Sequence, residues 1–134
     1  MQTTALDKIP PRRVVIADDS AEMRWLVRNL VRDHFDLLVE VSDGRGLMWE
    51  LLRSSYANSP PPALVISDLA MPAYNGLDVL EAWRDLHPHI PLIVITAFPE
   101  PEVYDRARHL GAYVLAKPFT TTAMRKAIAE VKRG

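Results

Sequence analysis

The stretch Val14-Val15-Ile16-Ala17-Asp18-Asp19-Ser20 sets the reading of the whole chain. Its four leading apolar residues are too few for a helix and suit a strand buried on both faces, as in a parallel sheet. Two carboxylates follow at once, and Ser20 then stands where a helix N-cap belongs, with Glu22 in the first turn. Behind it Met23, Leu26, Val27 and Leu30 recur at helical spacing and form one apolar face.

This strand, acidic turn and helix open a pattern that runs to the end of the chain. Short apolar runs at 37–41, 63–67, 92–96 and 113–116 join 14–17 as predicted strands. Helices are predicted between and after them. The first follows Ser20. The second covers 44–54, with Leu47, Met48, Leu51 and Leu52 toward the sheet. The third follows Gly76, with Val79, Leu80, Trp83 and Leu86 inward, and stops before His87 and Pro88. The fourth runs from Glu100 or Glu102 to Leu110 on a stripe of Val103, Ala107 and Leu110, with Gly111 as a left-handed cap. The last, 120–132, carries Met124, Ala127, Ile128 and Val131 on one face. Residues 56–62 read as a loop stiffened by Pro60, Pro61 and Pro62.

Five strand–helix units in succession predict an α/β fold, a doubly wound five-stranded parallel sheet with helices on both faces, and in a sheet like flavodoxin's the strand order is 2-1-3-4-5. A chain of 134 residues with 49% hydrophobic content suffices for one such core. Residues 1–11 are expected to be a short mobile leader set off by Pro10 and Pro11, and 12–134 the domain. A net charge of −1 argues against nucleic-acid binding by bulk electrostatics. The absence of cysteine excludes disulfides and thiolate metal sites. With no cationic leader and no long apolar span, the expectation is a cytoplasmic protein without membrane contact. Trp25, Trp49 and Trp83 read as packing residues, and His34, His87, His89 and His109 lack metal-ligand spacing.

Ligands of such sheets sit beyond the C-terminal strand ends. That rule gathers Asp18 and Asp19 after strand one, Asp68 after strand three, Thr96 at the end of strand four, and Lys117 with Pro118 after strand five. Strands one and three are neighbours in the predicted order, so the three carboxylates converge. Their mutual repulsion calls for a hard divalent cation, and oxygen-only ligands suit magnesium, or manganese in its place. Lys117 offers a point charge and Thr96 a hydroxyl to phosphoryl oxygens, which leaves Asp68 as a nucleophile able to form an acyl phosphate.

Residues 15–20, Asp68 through Met71-Pro72 to Gly76, Ile95-Thr96-Ala97, and Leu110-Gly111-Ala112 leading to Lys117-Pro118-Phe119 together resemble the receiver domain of response regulators, over nearly the whole of 14–131. The resemblance implies the flavodoxin-like, CheY-like arrangement and a phosphoacceptor signalling domain rather than an enzyme. It implies that Asp68 accepts phosphate from a histidine kinase or phosphotransfer protein. Asp19, Asp68 and the backbone carbonyl of Ala70 would hold the metal, Asp18 would act through water, and Thr96 and Lys117 would hold the phosphoryl group. The Lys117–Pro118 bond would be cis, and the output a changed surface of helix four, strand five and helix five read by a downstream protein. A phosphorylation-independent interaction module, or the N-terminal receiver of a longer regulator, are the alternatives.

Three departures from the family pattern stand out. Ala70 and Phe98 are apolar where the acyl-phosphate lifetime is tuned, which implies a long-lived phosphorylated state. The stretch from Gly111 to Lys117 is one residue short, and Val114 stands where an aromatic switch residue is common. A one-residue change within a strand reverses side-chain facing, so Tyr113, its neighbour, does not by sequence alone take that aromatic's inward place beside Thr96.

Overall fold

The structure is a computed structural model and describes residues 11–56, 60–71, 75–97 and 100–133. The first ten residues of the expected leader, Pro72, Phe98, Pro99 and residues 57–59 of the proline-rich loop lie outside them. The element order is β1 (Arg13–Ala17), α1 (Ala21–Val31), β2 (Leu37–Val41), α2 (Gly44–Tyr56), β3 (Leu64–Asp68), α3 (Gly76–Arg84), β4 (Leu92–Thr96), α4 (Pro101–His109), β5 (Tyr113–Ala116) and α5 (Thr121–Arg133). A short 3₁₀ turn, Arg32–His34, follows α1.

The strands pair in parallel, as the alternating pattern predicts, in the flavodoxin-like order β2-β1-β3-β4-β5. Every residue of β1, β3 and β4 is buried, because helices cover both faces of the central strands. Side chains alternate between two cores. Val15, Val65, Leu92 and Val94 meet Leu47 and Leu51 of α2, Leu80 and Trp83 of α3 and Ala107 of α4. Val14, Ile16, Ile66, Ile93 and Ile95 meet Val27 and Val31 of α1 and Met124, Ala127 and Ile128 of α5. Each fully buried Leu or Ile contributes roughly 1.5–3 kcal/mol of transfer free energy, so these two layers outweigh any single surface pair.

Helix ends follow their local chemistry. Ser20 Oγ accepts from the Met23 amide at 3.2 Å, Asn75 Oδ1 from Leu77 at 2.8 Å, and Thr120 Oγ1 from Ala123 at 3.0 Å. Gly111 closes α4 with φ +72°. At the N-terminal end of the sheet, Arg13 of β1 and Glu50 of α2 form a buried ion pair at 3.7 Å, and Glu50 also takes Arg53 at 3.2 Å.

Several sequence expectations shift. β3 begins and ends one residue later than 63–67, so Asp68 is its last residue rather than the first beyond it. β1 begins one residue earlier, at Arg13, and α2 continues to Tyr56. Thr120 caps α5 instead of opening it. Leu86 is 62% exposed and not inward, because α3 ends at Arg84 and helical spacing from Trp83 no longer holds. Leu26 is exposed as well: the buried residues of α1 are Val27 and Val31, which leaves Leu26 on the flank.

Candidate functional site

Asp18 sits immediately past β1. Its amide donates to the Val41 carbonyl at 3.1 Å, which continues the β1–β2 ladder by one residue and fixes where the carboxylate begins. Oδ1 of Asp18 accepts from the Ser20 amide at 2.9 Å, and Arg24 of α1 donates to the Asp18 carbonyl at 2.6 Å. The residue is 2% exposed. Asp19, next in the chain, is exposed.

Asp68 pairs with Ile95 in the β3–β4 ladder and is buried. Its Oδ1 accepts from the Ala70 amide at 3.1 Å, and Ser67 Oγ donates to its carbonyl at 2.8 Å. The Lys117 amide donates to the Thr96 carbonyl at 2.9 Å, an extension of the β4–β5 ladder that brings the lysine to the same rim. From there its Nζ donates to Asp68 Oδ2 at 2.8 Å and to Asp18 Oδ2 at 3.2 Å. The Lys117–Pro118 peptide bond is cis. Thr96 is buried at the end of β4, between the strands that carry Asp68 and Lys117.

The structure therefore brings Asp18, Asp19, Asp68 and Lys117 together. One carboxylate oxygen from each of the three acids lies within 4.8 Å of the others. That donor set, all hard oxygen and excess negative charge over one lysine, fits a divalent cation of the magnesium type. Ala70 presents an amide to Asp68 and an exposed methyl side chain, with no polar group beyond the backbone. Phe98 falls outside the described residues. Tyr113 packs among the α1–α5 layer, while Val114 packs in the α2–α4 layer, the one Thr96 shares by its alternation with Leu92 and Val94. Tyr113 and Thr96 thus face opposite layers of the sheet.

Arg24, the Ala70 amide and Gly76 were not legible as site residues. A Cβ at Gly76 would stand 2.6 Å from the Asp68 carbonyl oxygen and 3.2 Å from Leu69 Cα, so α3 begins in direct contact with the backbone of the acid. A glycine eight residues after Asp68 was the one signal, and it reads equally as a plain helix start.

Burial raises the Asp18 pKa above its ordinary 3.8; the nearby Asp68 charge acts in the same direction, while the Ser20 amide and Lys117 oppose it. For Lys117 burial lowers the pKa, but hydrogen bonds and attraction from Asp68 and Asp18 outweigh it and the net shift is upward. A carboxyl with a raised folded-state pKa stabilises the fold while protonated and loses that contribution as pH rises through its folded-state value. In metal-free buffer Asp18→Asn is therefore expected to gain stability relative to the parent as pH climbs from about 4 toward 7. Urea unfolding at a series of pH values checks it, and a constant difference across that range would sink the assignment.

The fold is a receiver-type doubly wound sheet, and its site is an acid cluster closed by a lysine. The sequence model described as "Response regulator receiver domain" matches residues 14–129. This chain belongs to that family, the receivers of two-component signalling. It is 33% identical over 128 residues to the transcriptional regulatory protein PdtaR of Mycobacterium tuberculosis, covering 94% of this chain and 59% of PdtaR. The chain thus spans about three-fifths of that relative's length. Chemotaxis protein CheY-3 of Vibrio cholerae is 28% identical over 123 residues, 89% of this chain and 90% of CheY-3. Among solved structures, the signal receiver domain of a putative Luxo repressor protein from Vibrio parahaemolyticus superposes with a TM-score of 0.75 at 28% identity, covering 93% of this chain and 92% of that one. Among the described residues no helix is long and apolar enough to cross a membrane.

Proposed function

We propose that this chain is a phosphorylation switch in which Asp68 accepts a phosphoryl group from the phosphohistidine of a histidine kinase or phosphotransfer protein. The observation that carries the reading is the bridge from Lys117 Nζ to both Asp68 and Asp18 at the C-terminal rim of the sheet. An Asp68 carboxylate oxygen attacks phosphorus, an O–P bond forms as the N–P bond of the donor breaks, and the product is an acyl phosphate. The Ala70 amide holds Asp68 Oδ1 and thereby orients the carboxylate.

Asp19, Asp68 and the Ala70 carbonyl are the residues to hold magnesium, with Asp18 acting through water. Bound there, the metal would offset charge on the phosphoryl oxygens. Lys117 transfers its donors from Asp68 to the incoming phosphoryl oxygens, and Thr96 supplies a hydroxyl to another. Ala70 has no side-chain group to aim a water at phosphorus, which favours a long-lived adduct. The output is a change in the α4, β5 and α5 surface presented to a downstream protein.

Intact-mass measurement after incubation with magnesium and acetyl phosphate tests the reading. One phosphoryl adduct is expected on the parent and none on Asp68→Asn; a parent that stays unmodified rejects it.

A further inference from the structure

α4 is weakly held by apolar contacts. Ala107 is its buried residue, with Val103 only partly covered. A charged contact to α3 adds to them. Arg106 on α4 reaches across to α3, where Nη2 donates to Asp78 Oδ1 at 2.7 Å and to Glu81 Oε1, and Nε donates to Glu81 Oε2 at 3.3 Å. The guanidinium is thus forked over two carboxylates of one helix, the geometry in which arginine fixes orientation as well as distance. At the N-terminus of the same helix, two residues before Asp78, Gly76 lies against the Asp68 backbone, and its amide donates to the Leu69 carbonyl at 3.1 Å. α3 is therefore a rigid link with one end on the acid site and its outer face clasped to α4.

We propose that Arg106, Asp78 and Glu81 form a clasp that carries a change at Asp68 through α3 to α4, so that α4 responds to phosphorylation through α3 as well as through its own strand. This rests on the phosphoacceptor reading of Asp68. Physical support comes from the other side of α4: on the Thr96 face β5 presents Val114, which has no polar or aromatic group to couple with, while Tyr113 is committed to the opposite layer. Coupling between sites requires an element whose position both ends bias, and α3 meets that requirement. As the clasp is surface-exposed, with the Arg106 side chain 36% exposed, salt weakens it.

Amide hydrogen exchange of the whole chain, with and without beryllium fluoride and magnesium as the phosphoryl probe, tests the clasp. In the parent, amides of α4 are expected to change exchange rate on adding the probe by about fivefold, the lower end of ordinary coupling. Arg106→Gln and the pair Asp78→Asn with Glu81→Gln should each cut that response to less than half. The combined triple variant should cut it no further, because all three side chains act as one unit. An equal probe-induced response in Arg106→Gln and the parent, on whatever baseline, means the clasp only steadies α4, and overturns the proposal. The amides of Leu69 and Ala70 report separately on the acid site: if they ignore the probe in the parent, the phosphoacceptor reading fails and the clasp loses its input.

Discussion

Gly76→Ala is expected to destabilise the domain by about 3 kcal/mol, at the upper end of the cost of overpacking, and to slow the proposed phosphorylation of Asp68 by tenfold or more. On propensity alone alanine at a helix start is better than glycine by up to about 1 kcal/mol. Sterics reverse the sign. The added Cβ would stand 2.6 Å from the Asp68 carbonyl oxygen and 3.2 Å from Leu69 Cα, and backbone atoms cannot swing aside as a flexible side chain would. Either α3 lifts from the sheet or the β3 end moves. The first loses packing of Leu77, Leu80 and Trp83, all buried. The second drags the Asp68 carboxylate away from Lys117 Nζ and from the Ala70 amide that hold it now. Thermal unfolding and the rate of adduct formation with acetyl phosphate measure the two consequences. Unchanged values for both would show that the contact relaxes at no cost and that α3 is not seated on the acid site, which would also remove the first link of the proposed clasp.

The contrast between Gly76 and Asp18 shows what the sequence can carry. The acidic turn was legible because a parallel sheet places all its strand ends on one rim, so residue type and order alone bring Asp18, Asp19, Asp68 and Lys117 together. The parallel sheet and its two-sided core followed from short branched runs separated by helical stripes, the strand order from likeness to a flavodoxin-type sheet, and the Ser20 cap from its position before Met23. What resisted reading depends on distances between elements far apart in the chain. Gly76 signals only a turn until α3 is laid on Asp68. Arg106 meets Asp78 and Glu81 across 28 and 25 residues, and nothing in exposed charges names their partner. Arg84, at the end of α3, donates to the carbonyls of Leu110, His87 and Ile90 and so ties the α3–β4 connection to the α4–β5 connection. Its sequence context is that of any basic residue in a last helical turn. Leu86 failed for a local reason: a helical stripe is meaningful only as far as the helix continues.

Lys117→Met is expected to produce the largest change in the pH dependence of stability, a loss of about 3 kcal/mol at neutral pH in metal-free buffer. That figure is the lower end of the cost of removing one partner from a buried pair, chosen because the lysine side chain is 20% exposed while Asp18 and Asp68 are nearly covered. Methionine fills the stem's space but leaves two carboxylates, one already penalised by burial, with no cation. The sign follows from linkage. Lys117 has a raised pKa in the fold, so its contribution is present below its unfolded value of about 10.5 and disappears as pH rises through the higher folded-state value. At the acid end the contribution also shrinks, as Asp18, whose pKa burial raises, becomes protonated and no longer attracts the lysine. The deficit of the variant should therefore be greatest between those limits and fade at both. Two interventions should restore stability at pH 7. Adding Asp18→Asn removes the repulsion between Asp18 and Asp68, and saturating magnesium supplies a substitute cation to oxygens that lie within 4.8 Å of one another. Urea unfolding of the parent, Lys117→Met and the double variant, each with and without magnesium, gives all the comparisons. A deficit that is flat from acid to alkaline pH and indifferent to magnesium would mean that Lys117 contributes by packing alone, and would leave the acid cluster without the charge balance on which its proposed chemistry depends.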